Sequence, residues 1–280
     1  MSSRESGSLL VIGGNEEKKG ACRILRAFVE LAGGDDARIV ILTTATELPR
    51  EVGEEYREIF EDLGAGEVRV LHADTRKEAS SEEAVRAIRE ASGIFLTGGD
   101  QLRLTSILGG TDADCSILRA FHSGTIVAGT SAGASAMAST MIVSGDSADT
   151  ATRSTVSLAQ GMGLVEEVVI DQHFAQRGRM NRLLASVAQN PHLLGIGIDE
   201  DTAILVDSDG RCRVIGSQSV TVLDGRHVHQ TNVSDSRSRE PLAITNLVMH
   251  ILPEGYGYDL AEHRPYRTEE QEATVCRSLQ

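Results

Sequence analysis

The chain has 280 residues, 40% of them hydrophobic and 24% charged, with 28 glycines and 5 prolines. Its formal charge of −14 argues against an extended phosphate-binding surface, and no apolar run approaches the roughly 18 residues that a membrane-spanning helix needs. Tryptophan is absent and aromatics make up 3%, which leaves the core to Val, Ile, Leu and Ala, the palette of parallel strands buried on both faces.

The first apolar run, "SLLVIGG", is too short for the apolar part of a secretion signal and reads as a strand. An amphipathic helix around Ile24–Leu31 follows and stops at Gly33-Gly34. "ARIVILTTA" reads as a second strand, leading to a charged helix from Pro49 to Leu63 that ends at Gly64. "EVRVLHA" is a third strand, and "SEEAVRAIREAS" a helix with Ser81 as its cap. "GIFLTGGD" and, after another helical segment, "GTIVAGTS" supply the fourth and fifth strands. Strand, helix, strand at this spacing predicts right-handed crossovers and a parallel sheet, with ligands gathered at the carboxyl ends of its strands. Farther on, "TAILVDSDGRCRVIGSQSVTVLDGRHVH" places Asp-Gly turns between β-rich runs, as antiparallel hairpins that extend the sheet do. The expectation is one α/β domain over residues 1–280, hairpin-rich at about 203–250, with a polar tail from about 265 to 280. Cys22, Cys115, Cys212 and Cys276 are scattered, with no C-x-x-C pair, which is the usage of reduced thiols in a cytoplasmic protein.

"Gly129-Thr130-Ser131-Ala132-Gly133" satisfies G-x-S-x-G in the context that this motif requires, a buried strand before it and a helical run after it. A sharp strand-to-helix turn strains the backbone at the serine, and small neighbours leave room around its hydroxyl. The amide of Ala132 would then face a developing oxyanion, reinforced by the helix N-terminus. The plainer alternative is a glycine-rich turn with a capping serine. A serine nucleophile needs a base, and the base an orienting carboxylate. His173, directly after the apolar run of "EEVVIDQHFAQRGRMNRLL", is the best placed histidine. Asp199-Glu200-Asp201 interrupts a β-prone run where carboxylates are costly unless the sheet ends or a partner waits. Strand alternation leaves open which of the three faces the site. No second histidine stands at a metal-ligand spacing from His173, so no metal site is expected. "Leu96-Thr97-Gly98-Gly99-Asp100-Gln101" brings a glycine pair to another strand end, where the Gly99 amide would be a second oxyanion donor or simply part of a turn.

"GTSAGAS", "TGGDQ", "DQHFAQRGRMNRL" and "GIGIDEDTA", in this order, closely resemble the cyanophycinases, serine peptidases related to the aspartyl dipeptidases. The resemblance covers nearly the whole chain. Only "GGNEEK" departs from it, with Asn15 and Glu16 where a pattern closer to Glu-Asp is expected, while Lys18 stays in place. The resemblance implies a flavodoxin-like three-layer α/β sandwich with a mostly parallel central sheet and a β-rich C-terminal extension. It implies Ser131 as nucleophile, His173 as base and Glu200 as orienting acid, with no cofactor. The implied substrate is cyanophycin, a polyaspartate backbone with an arginine joined through an isopeptide bond to each β-carboxyl, and the implied product is the dipeptide β-Asp-Arg. Because each arginine keeps a free α-carboxylate, Arg177, Arg179 and Arg182 are candidate carboxylate forks, with Gln101, Asp171 and Gln172 as neutral and acidic contacts. A homodimer is also implied; nucleic acid and membrane are not partners. The alternatives are an aspartyl or isoaspartyl dipeptidase of the same fold and a non-catalytic binding module.

Overall fold

The computed structural model describes residues 6–145, 150–237 and 239–268, so Cys276 and most of the expected polar tail lie outside the described residues. Five short apolar runs form the parallel half of the fold: β1 (Leu9–Ile12), β2 (Arg38–Leu42), β3 (Glu67–Leu71), β4 (Gly93–Leu96) and β5 (Ile126–Thr130). The helices between them are α1 (Arg23–Ala32), α2 (Pro49–Asp62), α3 (Arg76–Ala79), α4 (Glu82–Glu90), α5 (Gln101–Leu108) and α6 (Asp112–Phe121). Several begin where the residues dictate: Pro49 opens α2, Ser81 accepts the Ala84 amide at the start of α4, and Asp100 accepts from Leu102 and Arg103 at the start of α5.

After β5 comes the short helix α7 (Ala132–Met137), then a hairpin of β6 (Thr140–Gly145) and β7 (Val156–Gln160). β8 (Val168–Gln172), α8 (Met180–Gln189) and β9 (Leu194–Ile198) form a second parallel unit. The remaining strands are β10 (Thr202–Val206), β11 (Arg211–Gly216), β12 (Ser219–Asp224), β13 (Val248–Pro253), β14 (Tyr256–Asp259) and β15 (Arg264–Arg267). They divide between two sheets. A nine-stranded sheet runs in the order β15-β14-β11-β10-β1-β5-β4-β2-β3, parallel from β1 to β3 and antiparallel from β10 outward. A four-stranded sheet runs β13-β12-β9-β8. The C-terminal hairpins therefore serve both sheets rather than only extending the first, and the described residues of 225–247 form no strand between β12 and β13.

Period-two alternation splits each central strand between two cores. Leu10, Ile12, Ile39, Ile41 and Phe95 pack with Phe28 of α1 and with Tyr56 and Phe60 of α2 on one face. Leu9, Val11, Val40, Leu42, Ile94 and Leu96 pack on the other face with Ile88 of α4, Leu104 of α5, Ile117 of α6 and α7. That gives three layers, helix on sheet on helix, with the second sheet packed beyond α7. β1, β5 and β4 are consecutive neighbours, so the loops that leave their carboxyl ends lie side by side. No helix among the described residues is long and apolar enough to cross a membrane.

Candidate active site

Ser131 sits where β5 turns into α7, at φ 51° and ψ −109°, a left-handed region that a side-chain-bearing residue seldom occupies. The glycines on either side make the turn feasible. A Cβ on Gly133 would stand 2.3 Å from the Leu96 carbonyl oxygen, and one on Gly129 2.6 Å from the Gly133 carbonyl carbon. The Ser131 amide donates to the Ile12 carbonyl at 3.1 Å, anchoring the turn to the neighbouring β1.

His173 follows β8 and Glu200 follows β9, parallel neighbours in the second sheet, so both side chains leave from one edge. The Ser131 Oγ lies 2.9 Å from His173 Nε2, and His173 Nδ1 lies 2.7 Å from Glu200 Oε1. With a carboxylate facing Nδ1, the proton belongs on that nitrogen, and Nε2 is left to accept from the serine hydroxyl. Burial lowers the His173 pKa below its usual 6.5, more than the Glu200 bond raises it, and the Arg177 guanidinium pushes in the same direction as burial. The bond to His173 in turn lowers the Glu200 pKa, with the Asn15 bond contributing. At neutral pH the imidazole is an uncharged acceptor beside a carboxylate.

The loop after β1 joins the two sheets. The His173 amide donates to the Gly13 carbonyl at 2.8 Å, and the Asp201 amide donates to the Gly14 carbonyl at 3.0 Å. Asn15, itself at φ 47°, donates through Nδ2 to the second oxygen of Glu200 at 3.0 Å. The acidic triplet is the connection from β9 to β10, and each member has its own task. Asp199 accepts from the Ala175 amide and from Ser219, which braces the His173 loop. Glu200 holds the imidazole, with Gln176 accepting its amide at 3.1 Å. Asp201 accepts the Glu17 amide at 2.9 Å.

A cleft of about 770 Å³ opens above the serine, lined by Asn15, Glu16, Lys18, Gly99, Ser131 and His173 among others. Gly99 has φ 141°, and a Cβ there would stand 2.1 Å from the Ala45 carbonyl oxygen, so the loop after β4 tolerates no side chain at this point. Ala132 opens α7, directly after the serine.

The six residues expected to contact substrate are not gathered in this cleft. Asp171 has no exposed surface and Arg182 only 5%, and the two pair with each other. Arg182 grips both oxygens of Asp171, through Nε at 2.6 Å and through Nη2, and Arg179 also reaches Asp171 at 3.4 Å and the Gln172 carbonyl. The reason is that a carboxylate inside an apolar strand needs a buried counter-ion, and the arginines 8 and 11 residues further on supply it. Gln172 is buried beside them, its Oε1 without a hydrogen-bond partner among the described residues. Gln101 donates to the carbonyls of Ile142 and Val143, tying α5 to β6. Arg177 alone of the three arginines is exposed, on the His173 loop.

Asn15, Glu16 and Gln176 escaped the sequence reading as site residues. Their partners are 185, 114 and 24 residues away, so no local spacing announces them. For Asn15 and Glu16 the only trace is five polar residues in a row, Asn15 to Lys19, after the apolar β1 and its glycine pair.

Serine, imidazole and carboxylate in hydrogen-bonded series at the strand ends of an α/β sheet are the makings of a serine-type hydrolase. The model of peptidase family S51 matches residues 9–214, and the chain belongs to that family of serine peptidases. Among curated proteins, the cyanophycinase of Synechococcus elongatus is 41% identical over 263 residues, covering 94% of this chain and 82% of the relative. The cyanophycinase of Nostoc sp. is 42% identical over 254 residues, covering 90% and 85%. Among solved structures, a peptidase from an acI-B1 Actinobacterium shares the fold, with a TM-score of 0.70 at 22% identity over 92% of this chain and 98% of that one.

Proposed function

We infer that this serine peptidase degrades cyanophycin, releasing β-Asp-Arg dipeptides through an acyl-enzyme. The likeness to proteins named cyanophycinase across more than nine-tenths of the chain carries this reading, and the serine-imidazole-carboxylate series supplies its chemistry. In this scheme Ser131 Oγ attacks the backbone carbonyl as its proton passes to His173 Nε2. Glu200 holds the imidazole in the tautomer that can accept and steadies the imidazolium that forms. The amides of Gly99 and Ala132 bind the oxyanion, each such donor being worth about 3 kcal/mol in the transition state. His173 then gives its proton to the departing amine, and water releases the acyl group. Arg177, exposed beside the triad, is the candidate among the three arginines for meeting an arginine α-carboxylate at the cleft mouth. A homodimer is part of the same reading. The test is incubation of the purified protein with insoluble cyanophycin and identification of the soluble product by mass, with Ser131→Ala as control. Dipeptide from the parent chain and none from the variant supports the reading; intact polymer, or equal release by both, refutes it.

A further inference from the structure

Asp171 is bound to Arg182 and does not line the cleft above Ser131; the carboxylates that do are Glu16, Glu17 and Glu55. Glu16 lines that cleft and is only 4% exposed. Its Oε1 accepts from the Tyr56 hydroxyl at 2.5 Å and its Oε2 from the Thr130 hydroxyl at 2.7 Å, one residue before the serine. Both partners are neutral. Among the described residues, no cation stands within ion-pair distance of Glu16: the nearby Lys18 is bound to Glu55 at 2.6 Å and lies over the Tyr56 ring at 4.3 Å. A carboxylate has about four acceptor positions, of which two are filled here. A buried carboxylate held only by neutral donors is costly, and the cost is recovered when a cation enters.

We propose that Glu16 is the counter-ion for the cationic head of the substrate, a guanidinium that enters the cleft above Ser131. The assignment deepens the function inferred above and rests on it. The two hydroxyls fix the carboxylate in place without neutralising it, so the cleft keeps its affinity for positive charge. Lys18 and Glu55 satisfy each other above it, which leaves the negative charge at the floor uncancelled.

The test compares two soluble peptides, three β-Asp-Arg units in series and the same peptide with citrulline, which replaces the guanidinium by a neutral urea of the same shape. The parent chain is expected to favour the arginine peptide in kcat/KM by about tenfold or more, the scale of a desolvated charge pair. Glu16→Gln is expected to lose about tenfold of that preference, chiefly through KM, whereas Glu16→Asp, which keeps the charge, retains it. Equal losses on both peptides with Glu16→Gln, or no preference in the parent chain, overturns the assignment. Parent chain that cleaves neither peptide nor polymer overturns the inferred function instead. In that event, or if Glu16→Gln does not fold, calorimetric binding of the two peptides to Ser131→Ala and to Ser131→Ala with Glu16→Asp decides the assignment. Tighter binding of the arginine form by both upholds it, and equal affinities refute it.

Discussion

Gly14 lies flat against the imidazole of His173: a Cβ on this residue would stand 2.4 Å from the ring Cε1 and 2.5 Å from Nε2. The backbone there has φ 97°, so a side chain would be strained even with space available. Gly14→Ala must therefore push the ring off the serine. Misplacement by about 1 Å typically costs about 100-fold in rate, and a loss of that order in kcat is expected with little change in KM. The measurement is steady-state kinetics beside a urea titration. Full activity in the folded variant would mean that the ring does not rest on this glycine.

The acid limb of the pH profile has a definite sign. His173 must be neutral to accept the serine proton, and its pKa is lowered from 6.5 chiefly by burial. kcat/KM is thus expected to fall on acidification with a midpoint below 6.5. Stability moves the same way. Between the lowered and the ordinary value the unfolded chain binds more protons at this position, so the fold gains as pH rises through that window and loses as pH falls into it. Glu200 adds to the loss at lower pH, since its bond to His173 depresses its pKa from 4.5 and the stabilisation vanishes as pH falls through the depressed value. Measuring kcat/KM from about pH 5 to about pH 8, across the range where histidines titrate, locates the limb. A midpoint above 6.5 contradicts the burial argument.

Backbone strain at Ser131 separates activity from stability. At φ 51° and ψ −109°, Ser131 holds a conformation that costs about 1–3 kcal/mol for a residue with a side chain. Ser131→Ala and Ser131→Gly both remove the hydroxyl and should both lower turnover by about 10⁴-fold or more. They differ in the backbone. Glycine relieves the strain, so Ser131→Gly should exceed Ser131→Ala in unfolding free energy by about 1 kcal/mol after its greater chain entropy is deducted. Chemical denaturation of the pair tests this, and an alanine variant as stable as the glycine variant argues that the turn is unstrained.

The parallel core was legible because its signal is local. Runs such as Leu9–Ile12 and Gly93–Leu96 are buried on both faces, and continuous apolar runs between glycines say so directly. The G-x-S-x-G turn was legible for the same reason: its two outer glycines and its serine lie within five residues. The pairing of Asp171 with Arg182 was not foreseen, although the sequence carried a sign of it: a carboxylate in the apolar run "VVIDQ" calls for a buried partner, and Arg182 stands 11 residues further on. Asn15 and Glu16 left no comparable mark, because only the three-dimensional approach of β1 to β5 and to the β9–β10 connection gives them their partners. The second sheet and the β6–β7 hairpin were also unforeseen, since strand partners depend on long-range register that alternation alone does not specify.

Glu200 and Asn15 should differ in rank. Glu200→Gln keeps the shape but removes the charge that fixes the His173 tautomer, and a loss of about 10²- to 10⁴-fold in kcat is expected. Asn15→Ala removes one bond to a carboxylate, worth about 1.5 kcal/mol or slightly more, so a loss of about tenfold is expected. In the double variant the Asn15 effect should largely disappear, because the carboxylate to which Asn15 donates is gone. Additive losses would show that Asn15 acts elsewhere.

The Asp171–Arg182 pair gives the sharpest contrast between a binding role and a supporting one. Both side chains are buried and joined by two hydrogen bonds, so removing Arg182 leaves the buried Asp171 only its longer contact with Arg179. Breaking such a pair costs about 3–5 kcal/mol, and Arg182→Met should lower the urea midpoint by the corresponding amount. Removing both charges together, with Asp171→Asn beside Arg182→Met, should recover part of that loss, since position 171 is then neutral and Arg179 keeps its bond to the Gln172 carbonyl. Had these residues gripped the substrate, the single variants would raise KM at unchanged stability. At a temperature where the variants remain folded, a near-normal KM together with the stability loss is expected. A large rise in KM with an unaltered urea midpoint would return both residues to the substrate pocket.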